Sequence, residues 1–499
     1  MSDSSSEKIP VDRKYKVIER LEKKLERSIC EERFYEFFIR AFCQLHPGTP
    51  YDENWHAEYL CDRLQEEAER VWDGRPRGKD LIINMPFRAA KSMITTVIFP
   101  VWCWIRNPRT KFICVSFAES LALEHSQYSR NLILGTWFQM LWGDKIYFDA
   151  NQNSKAHYAN SEGGSRKSVG TGGQITGSGS DIIIIDDPQD PKRAASEVER
   201  QNSIDFYDKT LFSRLNQPDV GVRIIVMQRL HEGDLSGYLL ENRPEDHNHI
   251  CIPAEWDEDI ASPKDIKKHY VDGLFWSTRF NRKTLKSFEK TLTPLGAAGQ
   301  LQQRPAPLSG NLVKRDWFPI IPASSVKRND RIQPIMFLMD TAYTAKQEND
   351  PSGIMAIFKD ESEDCIYIVN VSEVRLEFPD LIKYTKEYVA RNGYSGSSSI
   401  WVEPKASGKS LVQQLKASDN FNISEISGDF LSDDKLTRLS SVSHLIYSGR
   451  VRLVEGDWNE KYLNQLCMFP SAKHDEFVDL TCYACFLFLT GSNFDFFFI

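Results

Sequence analysis

The spacing of hydrophobic and polar positions changes several times along the chain. From about Lys14 to Phe42, apolar residues recur every three or four positions among many Glu, Arg and Lys, which predicts helix. From Leu81 to about Leu240, short apolar runs alternate with helical patterns. Strands are expected at Leu81–Met85, Lys111–Phe117, Asp181–Ile185 and Val222–Met227. Each is Val/Ile-rich and nearly continuous, as suits strands covered by helices on both faces, so this half predicts βαβ units and a parallel sheet. Between about Pro253 and Asp330 the alternation fails, and Pro, Gly and turn residues gather in LTPLGAAGQLQQRPAPLSGN and FPIIPASS. A connector with a small subdomain is expected there. From Ile332 a second series begins, with strands in PIMFLMD, GIMAIF and CIYIVNVSEVRL, a helix from about Pro379 to Asn392, and a strand in SIWVE. Another helix, FNISEIS, a helix near Lys435–Tyr447, the strand RVRLV and a final helix from His474 complete it. Three consecutive strands followed by alternating helices and strands predict an α/β domain whose first three strands are antiparallel.

Composition narrows the class. The 499 residues carry 62 Lys+Arg against 70 Asp+Glu, a net charge of −8, with 41% hydrophobic and 26% charged residues. Collagen-like, largely disordered and disulfide-scaffold chains are excluded. The acidic balance argues against a basic coat, although a DNA enzyme needs only local basic stripes. The opening MSDSSSEKIPVDRKYK has no apolar signal-peptide core. Met93–Ile105 is interrupted by Thr95, Thr96 and Pro100, and is shorter than the ~20 apolar residues of a membrane span. The ten scattered cysteines fit a reducing compartment, with Cys482 and Cys485 read as core thiols rather than zinc ligands. The expectation is a soluble, intracellular, multidomain protein that does not enter a membrane.

Two constellations carry chemistry. In the first half, the strand at Leu81–Met85 runs into Pro86-Phe87-Arg88-Ala89-Ala90-Lys91-Ser92 and then a helix. This is the layout of a phosphate-binding loop: backbone N–H groups meet phosphates, Lys91 reaches the β/γ oxygens, and Ser92 helps hold Mg²⁺. Ala90 stands where Gly usually precedes the Lys; it is tolerated at negative φ and obstructive at positive φ. The apolar strand Asp181–Ile185 leads into Asp186-Asp187, one carboxylate for Mg²⁺ and one to polarise the attacking water. Val222–Met227 leads into Gln228-Arg229, placed to sense the γ-phosphate. Three strand ends in this order predict an ATPase.

In the second half, Asp340 ends one strand and Glu403 another, while Asp475 and Asp479, beside His474 and Glu476, open the last helix. An i,i+4 spacing puts both Asp on one face. Converging carboxylates supply hard oxygen ligands for two Mg²⁺ or Mn²⁺ ions, the chemistry of a metal-dependent nuclease. Lys405, Lys409, Lys435 and Arg438 provide local cations for DNA phosphates. Either Asp475 or Asp479 is the inner ligand.

The same residues carry a resemblance. In NWHAEYLCDRL, MPFRAAKS, VSFAESLALEHSQYSR, VGTGGQITGSGSDIIIIDDP, VMQRLHEGDLSG, LQQRPAPLSGNLVKRDWF, WVEPKASGKSL and FPSAKHDEFVDLTCYA, the chain resembles the large terminase subunits of tailed bacteriophages. The resemblance runs from about Phe34 to Leu489 and implies an ASCE-type P-loop ATPase domain joined to an RNase H-like nuclease domain. The expected organisation is an N-terminal helical segment (1–45), ATPase domain (46–255), linker or small subdomain (256–330), nuclease domain (331–490) and apolar tail (491–499). Lys91 and Ser92 would bind phosphate and Mg²⁺, Asp186 would bind Mg²⁺, and Arg88 matches the family's loop arginine. Asp187 stands where many members have the catalytic Glu, with Glu197 or Glu199 as alternative contributors. Trp55-His56 resembles the segment that packs on the adenine, which makes His56 a nucleotide-binding candidate with Gln228. Arg130 is a candidate arginine finger acting on a neighbouring subunit. The resemblance further implies ATP-driven translocation of double-stranded viral DNA through the portal into a procapsid, with cutting at the start and end of packaging. A small terminase subunit, a pentameric ring on the portal, and a place in the host cytoplasm and transiently on the procapsid, absent from the mature virion, go with it. The tail Phe494–Ile499 either folds back on its own domain or is a docking peptide for the portal or a partner subunit.

Overall fold

The computed structural model describes residues 11–49, 51–175, 177–305, 312–326, 328, 333–341, 351–419, 421–472 and 474–490. The tail Phe494–Ile499 lies outside them. The chain divides into two compact units, one of Met1–Pro191, Glu197–Arg282 and Ala298–Pro305, the other of Lys192–Ser196, Lys283–Ala297 and Ala306–Ile499.

The first unit opens with helices Val11–Glu32 and Phe34–Leu45 rather than one continuous helix. Arg33 takes an extended conformation between them, where its guanidinium reaches Glu58 and Asp62 and the Phe34 N–H reaches the Gln65 side chain. These tertiary partners outweigh helical continuity. The strands that follow are β1 (Asp80–Asn84), β2 (Lys111–Ser116), β3 (Phe148–Asn153), β4 (His157–Asn160), β5 (Ser165–Gly170), β6 (Ile182–Asp186), β7 (Val222–Met227) and β8 (His247–Cys251). They form one sheet in the order β3-β4-β5-β2-β6-β7-β1-β8. From β5 to β8 all pairings are parallel, whereas β3 and β4 extend the edge antiparallel. One strand, β7, separates β1 from β6, so the ends of all three lie side by side.

The four expected strands are present. β5 and β8 were not legible because their sequences, SRKSVG and HNHIC, are polar. Arg166 of β5 is fully buried and donates to Thr96 O and Ser129 Oγ at 2.7 Å, so a polar strand held by side-chain hydrogen bonds stands where an apolar pattern has nothing to report.

The second unit has β9 (Ile320–Ile321), β10 (Met336–Asp340), β11 (Ser352–Asp360), β12 (Cys365–Val374), β13 (Ser399–Val402), β14 (Ile423–Glu425) and β15 (Val451–Val454), in the order β14-β13-β10-β11-β12-β15-β9. The β10-β11-β12 meander is antiparallel, as its sequence predicts, and the remaining pairings are parallel. The last helix, Glu476–Phe488, is buried from Glu476 to Cys485 and packs across β10–β12. Gly353 permits this contact, since a Cβ there would stand 3.1 Å from Leu480 Cδ1 and 3.2 Å from Glu476 Cβ. Cys482 and Cys485 are free thiols in that core. Among the described residues no helix is long and apolar enough to cross a membrane.

Candidate active sites

In the first unit, the turn after β1 delivers Lys91 and Ser92 to the end of β6. Lys91 Nζ lies 2.7 Å from Asp187 Oδ2, and Ser92 Oγ donates to Asp186 Oδ1 at 3.0 Å. Thr96 Oγ1 donates to the other Asp186 oxygen at 2.8 Å. Sequence reading missed Thr96, although its position one turn beyond Ser92 was the available signal. Burial pushes Asp186 and Asp187 above the usual carboxylate range, and the Lys91 charge opposes it. Asp187 Oδ1 accepts from the Gln228 N–H at 3.2 Å, so β7 is joined to the acidic pair as the strand order requires. Arg229 turns away: its Nε donates to Asp234 at 2.9 Å.

The loop is strained at the position the sequence singles out. Ala90 sits at φ +58° and Arg88 at φ +56°, both left-handed, and Asp187 at φ +44°. For an L-residue other than Gly, Asn or Asp this region costs about 1–2 kcal/mol, so the Ala that replaces the usual Gly carries a real penalty. His56 supports the loop from within. Its fully buried ring places Nε2 3.0 Å from Ala89 O and Nδ1 2.6 Å from Asn54 Nδ2. The first nitrogen donates to a carbonyl and the second accepts from an amide, which fixes a neutral tautomer. Burial lowers its pKa to about 4.

Glu197 is exposed on the helix Glu197–Asp205. Arg130 lies 4.9 Å from the Phe148 ring and 5.3 Å from the Tyr158 ring and donates to Asn153, so its guanidinium is engaged within its own unit. His125, which sequence reading did not single out, places Nδ1 3.6 Å from Asp186 Oδ2, and burial lowers its pKa to about 4.

In the second unit, β10 and β13 are parallel neighbours, and the Glu403 N–H donates to Met339 O at 2.9 Å. Asp340 and Glu403 are therefore side by side at the same end of the sheet, both buried. Gly408 lets the helix Ala406–Asp419 start against this corner, because a Cβ there would come within 2.1 Å of Glu403 O. The last helix adds Asp479, wholly buried, while Asp475 is its N-cap residue. Tyr483, one turn beyond Asp479, donates from its hydroxyl to Glu403 Oε1 at 2.6 Å and brings the helix onto the strand ends. Tyr483 was missed by sequence reading; its i,i+4 spacing from Asp479 was the only hint.

Cations of the chain itself neutralise these carboxylates. Lys405 Nζ lies 3.3 Å from Asp340 and 2.6 Å from Glu403. Lys435 lies 2.5 Å from Asp475 and 2.9 Å from Asp479, and Arg438 lies 2.6 Å from Asp479. Asp434 caps the helix Lys435–Tyr447 that presents both, accepting from the Thr437 N–H at 2.9 Å. Burial, reinforced by Glu403, holds Asp340 well above the usual carboxylate range. Burial opposes ionisation of Glu403 too, but its hydrogen bonds with Asp340, Lys405 and Tyr483 keep it below that range. The two neighbouring carboxyl groups are thus pushed in opposite directions, Asp340 up and Glu403 down.

Among the described residues, no three His, Cys, Asp or Glu side chains stand close enough to hold a metal ion as they are arranged. The donor set nevertheless suits a hard divalent cation: buried carboxylates converge from two strands and a helix, and ammonium groups supply the positive charge they require. In the first unit, Ser92 and Asp186 form the corresponding oxygen pair.

Residues 338–487 match the family model described as the Terminase RNaseH-like domain. The large terminase subunit of Enterobacteria phage T3 is 34% identical over 126 residues, 24% of this chain. The matched stretch spans 21%, about a fifth, of that relative's length. Among solved structures, the large terminase of a thermophilic bacteriophage is 9% identical with a TM-score of 0.47, covering 81% of this chain and 90% of that one. The bacteriophage HK97 large terminase is 11% identical with a TM-score of 0.36, covering 88% and 92%. The resemblance to large terminases read from the sequence therefore recurs in an independent family model and in a relative.

Proposed function

We propose that this chain is a viral DNA-packaging motor and nuclease, with ATP hydrolysis in the first unit and phosphodiester cleavage in the second. What supports this reading is one observation: a single chain carries a Lys91-Ser92 loop against Asp186-Asp187 and, separately, a buried Asp340-Glu403 pair onto which Tyr483 ties the helix bearing Asp479, within a stretch matching a terminase nuclease model.

In the first site, Lys91 leaves Asp187 for the β/γ oxygens of ATP, and the freed carboxylate orients the water that attacks the γ-phosphorus as the bond to the bridging oxygen breaks. Asp186 and Ser92 would hold Mg²⁺. Arg88 and Gln228 line the phosphate end, and His56 fixes the loop beside the base. In the second site, Asp340, Glu403, Asp479 and Asp475 would hold two Mg²⁺ or Mn²⁺. When bound, such ions supply Lewis acidity toward the attacking water and the leaving oxygen. Lys405, Lys435 and Arg438 exchange their carboxylates for DNA phosphates as the site loads. Because each carboxylate is already neutralised within the chain, isolated nuclease activity is weak. On this reading the protein works in the host cytoplasm and transiently on the procapsid as a ring, a pentamer, at the portal. Its partners are double-stranded viral DNA and a small terminase subunit that recognises the genome.

The test is ATP turnover by wild type and Lys91→Ala, each with and without procapsids bearing a portal. Strong procapsid stimulation, reduced at least a hundredfold by Lys91→Ala, is expected. Turnover that is indifferent to procapsids, or unaffected by the substitution, overturns the motor reading.

A further inference from the structure

A second basic residue sits on a segment tied to the phosphate loop that carries Arg88. Residues 275–280 are tied to the segment that opens the helix Trp55–Trp72. Trp55 Nε1 and Asn54 Nδ2 donate to Phe275 O at 2.8 and 2.9 Å, while Trp276 Nε1 and Thr278 Oγ1 donate to Asp52 Oδ2 at 3.1 and 2.9 Å. The His56 ring, whose Nε2 holds Ala89 O, lies 4.9 Å from the Trp276 ring and 5.5 Å from that of Phe275. This strap is therefore fixed through His56 to the backbone of the loop itself. Arg279 is its exposed basic residue, with its guanidinium 5.3 Å from the Trp276 ring.

Among the described residues Arg279 donates no hydrogen bond and forms no ion pair. Partial burial and then the charge of Arg88 hold it below the usual arginine range, against the weaker pull of Asp52. The Asp52 carboxylate is already engaged by Trp276 and Thr278. The guanidinium lies over the Trp276 ring, that ring packs on His56, and His56 holds the Ala89 carbonyl, so Arg279 is joined by contacts to a loop built for phosphate. Guanidinium groups present paired donors in a plane, the geometry that phosphate oxygens accept.

We propose that Arg279 is a phosphate-binding residue of the nucleotide site, acting with Arg88 on the phosphate oxygens of a bound nucleoside triphosphate. The proposal rests on the reading of residues 86–92 as a nucleotide loop and adds to it a contact from a segment almost 190 residues downstream. Nucleotide occupancy then reaches the strap directly, through an ion pair, as well as through the loop.

The experiment measures binding of a fluorescent ATP analogue, mant-ATP with Mg²⁺, to the full chain and its Lys91→Ala, Arg279→Gln, Arg279→Lys and Arg282→Gln variants. Arg282 is the control, exposed and 2.8 Å from Glu255. Arg279→Gln is expected to weaken binding about tenfold, or ~1.4 kcal/mol, with Arg279→Lys intermediate and Arg282→Gln unchanged. Tripolyphosphate should compete with mant-ATP less well on Arg279→Gln than on wild type. Without nucleotide, Arg279→Gln should melt no lower than wild type, since among the described residues the guanidinium makes no hydrogen bond or ion pair to lose. Wild-type affinity in Arg279→Gln, or a loss matched by a lower melting temperature without nucleotide, overturns the assignment of Arg279 alone. If wild type binds no mant-ATP, or Lys91→Ala binds as well as wild type, the nucleotide reading fails and the proposal with it.

Discussion

Both sites set lysine ammonium groups against buried carboxylates, but they hold them differently. In the first unit one lysine faces one aspartate, and the neighbouring Asp186 is satisfied by the hydroxyls of Ser92 and Thr96. In the second unit the pairs run in series: Lys435 joins Asp475 to Asp479, and Arg438 closes on the same Asp479. The first arrangement releases its lysine at the loss of a single ion pair. The second loses charge balance at several groups when any member leaves. One suits a site that exchanges its ligand every cycle, and the other suits a site that acts rarely.

Asp479→Asn tests that contrast with the largest effect. It leaves Lys435 and the buried Arg438 without their common carboxylate, a situation that typically costs about 3–5 kcal/mol. The second unit should lose about that much stability by chemical denaturation and all measurable DNA cleavage, while ATP turnover stays within about twofold of wild type. Lys91→Ala should cost the first unit far less, because Asp187 is held high and can take up a proton. Equal destabilisation by the two variants would erase the distinction.

Acidification sharpens the comparison from another side. Burial lowers His56, His125 and His249 in the first unit to about 4, and His444 in the second to about 4. The folded state keeps these rings neutral while the unfolded chain protonates them near pH 6.5, so their contribution is intact above ~6.5 and falls as pH drops toward 4. At pH 5.5 each depressed histidine removes about 1.4 kcal/mol. Urea melts at pH 7.5 and 5.5 should show the first unit losing more than the second, and a larger loss in the second would contradict the burial of His56, His125 and His249.

Ala90→Gly has the smallest expected effect. With φ at +58°, glycine should relieve about 1 kcal/mol of strain and raise the melting temperature of the first unit by a few degrees. A drop would mean that the Ala90 methyl group makes contacts worth more than the strain it carries.

What the sequence made legible followed from its chemistry. β1, β2, β6 and β7 could be read because buried parallel strands are continuous apolar runs, and the meander because three such runs follow one another without helices. Asp186, Asp187, Asp340 and Glu403 could be read because each stands at or just beyond the end of such a run. Tyr483 and Thr96 could not, since an aromatic or a threonine on a buried helix has the same local pattern whether it packs or donates to a carboxylate. Arg279 was equally silent: the placement of its segment against Asn54 and Trp55 depends on hydrogen bonds between residues more than two hundred positions apart. The helix break at Arg33 was hidden for the same reason, because its cause lies in Glu58, Asp62 and Gln65.

The two-residue strand β9 has a practical consequence. Ile320–Ile321 pairs with the edge of β15, and Leu312, Val313 and Phe318 lie in the core beneath. A C-terminal fragment that begins at 331 would strip that edge and open a hole in the core. Its β15 would present bare backbone donors and acceptors to any other chain, the usual seed of self-association. A soluble nuclease fragment should therefore begin upstream of Leu312, and the length of that lead sequence, rather than the catalytic residues, should decide whether the isolated half stays monomeric on a sizing column.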